Sequence, residues 1–230
     1  MARIDTPRLG LLSINLFNQT VFDTPKFIQF ITRTPRLKAF EKARVSFGVL
    51  GGMVDLFSHT TSGYGEILVS IECRQLDSQV SSLGQICTSC LPPLSTLEDL
   101  YIFRAPIIEP CWQDDIENTL WLELLHPFAT VKNLHLSKEF APLVVPALQE
   151  IVGGRTTEVL PSLQNIFLER LLPWGPVQEG IGQFSSARMA ASRPIAVSRW
   201  ETSERDKASG FHFQGVKRAI IDTVTGQSYL

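Results

Sequence analysis

The chain has 230 residues, of which 44% are hydrophobic and 19% charged, and its 21 basic and 23 acidic side chains leave a net charge of −2. That much apolar material over that length can bury a core without metal or disulfides, and it excludes a disordered chain. Near-neutral charge with no run of one sign gives nothing to recruit a phosphate backbone or an anionic lipid surface, so neither nucleic acid nor membrane is expected as a partner.

Asp5, Asn15, Asn18 and Asp23 interrupt the start of the chain where a signal peptide needs an unbroken apolar stretch, and no apolar run is long enough for a membrane span. An intracellular address, cytoplasmic or nuclear, is the expectation. There Cys73, Cys87, Cys90 and Cys111 stay thiols and pack as small hydrophobes.

In chain order, the first element is Leu9-Gly-Leu-Leu12-Ser-Ile14, of the form L-x-x-L-x-L. A degraded copy, Leu37-Lys-Ala-Phe40, follows it. The stretch from Leu37 to the next clear copy at Leu97 leaves room for two units, and Ile67-Leu-Val-Ser-Ile71 reads as a strand within it. Three clear copies then succeed one another: Leu97-Glu-Asp-Leu100-Tyr-Ile102, Val131-Lys-Asn-Leu134-His-Leu136 and Leu163-Gln-Asn-Ile166-Phe-Leu168. Their starts are nearly evenly spaced, and Ile195 comes one further period after Leu163. It opens a closing strand over 194–200, with Ser198 in an aliphatic slot.

Segments at helical period follow the three clear copies, over residues 115–128, 142–152 and 176–191. Pro142 and Pro176 stand at helix starts, and Gly153-Gly154 and Pro127 at helix ends. A near-constant spacing, within the range of known repeat periods, means stacked supersecondary units. The predicted fold is α/β, a leucine-rich-repeat solenoid of about six irregular repeats over residues 1–200, with parallel strands on the concave face and helices on the convex face. Residues 201–230 lose the pattern and are expected to form a weakly ordered tail that docks at most one strand.

Leu91-Pro-Pro-Leu-Ser-Thr-Leu-Glu-Asp-Leu-Tyr-Ile, Trp121-Leu-Glu-Leu-Leu-His-Pro-Phe, Val131-Lys-Asn-Leu-His-Leu-Ser and Leu160-Pro-Ser-Leu-Gln-Asn-Ile-Phe-Leu-Glu together resemble the repeat region of the F-box-like leucine-rich-repeat families expanded in mushroom-forming fungi. The likeness covers roughly residues 5–200 and rests on repeat consensus. It implies a substrate receptor of an SCF-type ubiquitin ligase, in which an F-box binds Skp1 and the repeats hold the target. The first repeat here begins near residue 8, with no three-helix F-box ahead of it, so Skp1 is not an expected partner and the protein target is unidentified.

The repeat dictates which side chains are offered to that target. Slots between the aliphatic positions point away from the helices, which aligns Asp99, Tyr101 and Phe103 with Asn133, His135 and Ser137, and these with Asn165, Phe167 and Glu169. These nine are the candidate protein-binding residues. Tyr101 and Phe167 place large aromatics where the repeat does not demand them, as interface anchors do; the alternative is that neighbouring rungs pack on one another or under the tail.

No catalytic, cofactor or metal site is expected. Cys87-Thr-Ser-Cys90 lacks two further ligands at zinc spacing and sits at a helix C-terminus, which does not activate a thiol. His59, His126, His135 and His212 are scattered; His126 suits a helix end, and His135 alone occupies an outward slot. Asp114, Asp115 and Glu117 fit the first turn of a helix, and Gly51-Gly52, Gly63-Tyr-Gly65 and Gly153-Gly-Arg155 lack a phosphate-loop lysine and read as turns. A hydrolase- or transferase-like α/β enzyme is the alternative reading of the same alternation of strands and helices, and a truncated copy without function is a third.

Overall fold

The computed structural model of the chain describes residues 11–17, 40–58, 66–89, 91, 94–105, 116–152, 157–169 and 175–199, with the backbone of 220–221 and 228–229. In chain order the elements are β1 (Leu12–Phe17), β2 (Lys42–Phe47), β3 (Gly51–Phe57), β4 (Ile67–Glu72), α1 (Leu76–Ser89), β5 (Asp99–Arg104), α2 (Asn118–Leu125), β6 (Asn133–Leu136), α3 (Ala141–Glu150), β7 (Asn165–Leu168), α4 (Pro176–Ala190) and β8 (Ala196–Arg199). Two-residue strands β9 (Ile220–Ile221) and β10 (Ser228–Tyr229) pair antiparallel with each other. They are the described part of the expected tail, whose other residues lie outside the described set.

β1 to β8 form one open sheet in the order β1-β4-β3-β2-β5-β6-β7-β8. β3 alone runs against its neighbours; every other pair is parallel. The fold is therefore mixed α/β, an eight-stranded, mostly parallel sheet with four helices among the described residues.

The clear motif copies build the rungs β5, β6 and β7 by one repeated device. The amides of Leu97, Val131 and Leu163 close the same turn onto the carbonyls of Leu94, Phe128 and Leu160. Each rung is then held to the one before by a shared acceptor: Glu98 and Asp99 donate to the Glu41 carbonyl, Lys132 and Asn133 to that of Glu98, and Gln164 and Asn165 to that of Lys132. The segments beginning at Leu97, Val131 and Leu163 are accordingly side-by-side parallel neighbours.

Leu100, Ile102, Leu134, Leu136, Ile166 and Leu168, the aliphatic slots, are buried in one cluster with Leu83, Trp121, Leu124, Val144, Leu148 and Phe184 of the helices. Burying an aliphatic side chain of this size stabilises by about 1.5–3 kcal/mol, which is why one strand face carries all the helices. Consecutive helices pack on each other as the rungs do. Close approach requires Gly180 on α4, where a Cβ would meet Val145 Cγ1 at 2.6 Å.

Three expectations need correction. Between Leu37 and Leu97 the described residues form, in place of two parallel units, the antiparallel meander β2-β3-β4 followed by α1, with β4 the strand expected at Ile67-Leu-Val-Ser-Ile71. The degraded copy is shifted along the chain: β2 pairs with β5 through Lys42 and Asp99, so the motif reads Phe40-Glu-Lys-Ala43-Arg-Val45. At the closing strand, Val197 rather than Ser198 lies opposite Ile166. A slip of one residue exchanges the faces of a strand, and Ser198 thereby falls in the outward slot beside Phe167.

Candidate functional site

The face of β5, β6 and β7 turned away from the helices carries the nine candidate residues in three rows. Strand register sets Asp99, Asn133 and Asn165 side by side, then Tyr101, His135 and Phe167. Ser137 and Glu169 follow one step beyond the paired strands, their amides donating to the carbonyls of Ile102 and Leu136, and Phe103 lies opposite Ser46 of β2.

Within the first row the side chains form a chain of hydrogen bonds. Asn165 Nδ2 donates to Asn133 Oδ1 at 2.8 Å, and Asn133 Nδ2 donates to Asp99 Oδ1 at 2.8 Å. In the second row the rings stack: Tyr101 on His135 with centroids 4.1 Å apart and planes 12° from parallel, His135 on Phe167 at 4.5 Å and 9°. Rungs about 4.8 Å apart bring flat side chains in one column to stacking distance without strain. His135 Nε2 lies 3.5 Å from Asp99 Oδ1, which ties the two rows together.

Burial tends to raise the pKa of Asp99, but hydrogen bonds from His135 and Asn133, with the charges of His135 and Lys42, outweigh it and hold the carboxyl below its ordinary range. An ionised Asp99 polarises the amide chain, so each N–H points toward it and each carboxamide oxygen away. Of the nine, His135 and Ser137 are buried, and the other seven are half-buried. The rungs do pack on one another, and what they present outward is the edge of a stack, not nine separate side chains.

The neighbouring strands carry a second constellation that sequence reasoning missed. Arg44 of β2 and Asp55 of β3 are in register, with Nη2 to Oδ2 at 3.5 Å, and the guanidinium carbon lies 4.0 Å above the Phe57 ring. Asp55 is buried, and desolvation outweighs the attraction of Arg44, pushing its pKa up to about 6. Ser46 and Met53 beside it are buried as well. Only the register of β2 against β3 brings these residues together, and Gly51-Gly52 hid that strand by reading as a turn.

The other singled-out residues behave as separate features. His126 is the C-cap of α2, its N–H bonded to the Leu122 carbonyl. Glu117 stands at the N-cap of the same helix without a side-chain cap bond. Cys87 is buried on α1 and Cys73 half-buried. Cys90, Cys111, His59, His212, Asp114, Asp115 and the turns expected at Gly63-Tyr-Gly65 and Gly153-Gly-Arg155 lie outside the described residues. Among the described residues no group of three or more His, Cys, Asp or Glu is placed to hold a metal ion, and no helix is long and apolar enough to cross a membrane.

No protein-family model, no curated protein and no solved structure matches the chain.

Proposed function

We propose that the chain is a leucine-rich-repeat array that holds another protein on the sheet face opposite its helices, without catalysis, in the manner of the substrate-binding repeats of an F-box receptor. The observation that carries this is the repeated rung. One turn, one shared backbone acceptor and one column of side-chain types recur from β5 to β6 and again from β6 to β7. Such a unit cannot bury its apolar face alone and stacks on its neighbours, with the strand face left for a partner. The aromatic column is rigid because each ring is held by the next, so docking on it costs little side-chain entropy. Curvature of the sheet into a concave surface, a cytoplasmic or nuclear address, and kinship with ubiquitin-ligase receptors belong to the same reading.

The test is affinity capture with mass spectrometry, comparing the unaltered chain with the Tyr101→Ala/Phe167→Ala double variant. The double variant is expected to keep its cooperative melting transition and lose its specifically captured proteins by about tenfold or more, as truncated aromatic anchors do. An unchanged capture profile would reject the face. Skp1 and cullin peptides in the captured set would tie the chain to a ligase; other targets without them fit a repeat module acting alone.

A further inference from the structure

The stack of rungs is open at its β8 end. β8 is the last strand of its sheet, and all four of its residues are exposed. Its helix-face residue Val197 lies opposite Ile166, yet Val197 is 38% exposed where Ile166 is fully buried. α4, the last helix among the described residues, carries Met189 at 64% exposure. The backbone is set for another rung as well. The carbonyls of Glu41, Glu98, Lys132 and Gln164 each precede a strand and accept amides of the next one, Gln164 accepting that of Ala196. Next in this series is the Ile195 carbonyl, and no rung follows it in the sheet among the described residues. Ala196 turns its amide to β7, so by the alternation of a strand Val197 turns its own to the open edge.

An array of stacked units needs a terminal unit that covers its last apolar face. We infer that residues 216–221 of the same chain are that unit, pairing parallel with the open edge of β8. Val216-Lys-Arg-Ala219-Ile-Ile221 has the form of the repeat motif and shares Val-Lys and two apolar slots with Val131-Lys-Asn-Leu134-His-Leu136. β9 coincides with the last two positions of this copy, which are strand in β5, β6 and β7 too. Residues 200–217 exceed the dozen or so that a parallel crossover needs. In the repeat register Ala219 comes opposite Val197, and Ile221 extends the helix-face file beyond it. The edge groups that the pairing uses are those of Ile195 and Val197; Arg199 has interactions of its own. β9 pairs with β10 on one edge, which leaves its other edge for β8. Docked in this way, the pair ends the parallel array in a two-residue antiparallel strand, too short to template further pairing. Antiparallel β3 borders the parallel rungs at the other end. The two sheets are separate in the structure, and the junction between them is what is inferred. It depends on the repeated rung and not on what the sheet face holds.

The experiment uses the full chain with the cysteine pair Ser198→Cys/Ile220→Cys, which the repeat register sets opposite each other, and maps disulfides by mass spectrometry after mild oxidation. Paired strands about 4.8 Å apart bring such a pair within disulfide reach. Ser198→Cys/Ser209→Cys, whose second site lies in the tail outside the motif copy, is the comparison. A disulfide between positions 198 and 220 of one chain is expected, about tenfold or more over the comparison, because docked sulfurs face each other while merely tethered ones meet by chance. Hydrogen exchange followed by NMR is the second readout. The Val197 amide should exchange slowly in the unaltered chain and about tenfold or more faster in Ile221→Asp, the scale of one lost aliphatic contact. The Ala196 amide, bonded to Gln164, should keep its rate in both. Equal trapping of the two cysteine pairs, or a Val197 amide without protection in the unaltered chain, would overturn the tail as occupant of this edge. Disulfides between chains, or Val197 protection that grows with protein concentration, would give the edge to a second copy and overturn it equally. Capture lost in Tyr101→Ala/Phe167→Ala bears on the sheet face alone, so the two readings fail separately.

Discussion

β2, β3 and β4 form a meander in which β3 is buried along most of its length on both faces, whereas β5 and β7 bury their aliphatic slots and leave the outward slots half-exposed, and β6 does the same except at His135, which is buried. The difference follows from strand direction. Parallel rungs of a repeat set equivalent slots side by side, so like meets like: an acid and two amides in one column, three flat rings in the next. The antiparallel pair sets unlike residues side by side, Arg44 against Asp55 and Ser46 against Met53. Two carboxylates on one sheet face therefore have opposite fates. For Asp99 hydrogen bonds outweigh desolvation; for Asp55 desolvation outweighs its ion pair.

The sharpest way to break the comparison is at Gly51, where β3 pairs so closely with β4 that a Cβ would lie 1.9 Å from the Ile71 carbonyl oxygen. Backbone cannot yield as a side-chain tip can, so Gly51→Ala is expected to cost about 3 kcal/mol or more, measured by urea unfolding. Gly182 on α4 has nothing within 4 Å of its notional Cβ. Gly182→Ala should instead stabilise, by about 0.5–1 kcal/mol. Equal effects at the two glycines would show that the meander is not the tightly fitted part of the molecule.

Next in size is the pH response. Asp55 binds its proton more tightly folded than unfolded, with a pKa of about 6 against an ordinary 3.8. Its contribution to stability is fully present below pH 3.8 and is lost as pH rises through about 6. A shift of about two units corresponds to roughly 3 kcal/mol across that window. Asp55→Asn keeps an oxygen for Arg44 without the buried charge, and should flatten the decline and raise stability at pH 7. Asp99 works in the other sense: its lowered pKa supports the fold above the ordinary carboxylate range and is lost as pH falls through the folded value, so Asp99→Asn should flatten the acid limb instead. Denaturant midpoints of the two variants from pH 3 to 8 check both signs; a decline between pH 4 and 6 that survives Asp55→Asn would rule out Asp55 as its source.

The same contrast governs what could be read from the residues. β5, β6 and β7 were legible because two signals coincide in them, alternation along each strand and a near-constant spacing between strands. The columns Asp99-Asn133-Asn165 and Tyr101-His135-Phe167 follow from that register, although their chain of hydrogen bonds and ring stack depend on rotamers that sequence does not encode. β3 was illegible because a strand buried on both faces does not alternate, and because its first two residues are glycines. α1 was delimited only at its end: Ser78, Ser81 and Ser82 interrupt its stripe, and Gln79 is buried there by bonds to the Gly48 and Cys73 carbonyls. The closing strand lies within the expected 194–200, but its register was off by one residue, because Ile195-Ser198-Trp200 and Pro194-Val197-Arg199 each fill only one motif slot with an aliphatic residue, and only pairing with β7 decides between them.

The smallest expected effect bears most directly on the rungs. Asn133 is the middle of the amide chain, donating to Asp99 and accepting from Asn165, so Asn133→Ala removes two hydrogen bonds and leaves groups on both adjacent rungs to find other partners. Asp99 and Asn165 are only half-buried, and water can replace part of what is lost, so the cost should be about 1 kcal/mol rather than the larger figure for buried groups. The informative readout is the Asp99 carboxyl, followed by carbon-13 NMR through an acid titration. Without the Asn133 bond one of the forces holding its pKa down is gone, and the midpoint should rise toward the ordinary carboxylate value. The His135 ring, held by Tyr101 and Phe167 on its two faces, should keep its stacked position. A midpoint that does not move would mean that the rows act independently and that register alone, without the side-chain chain, orders this face.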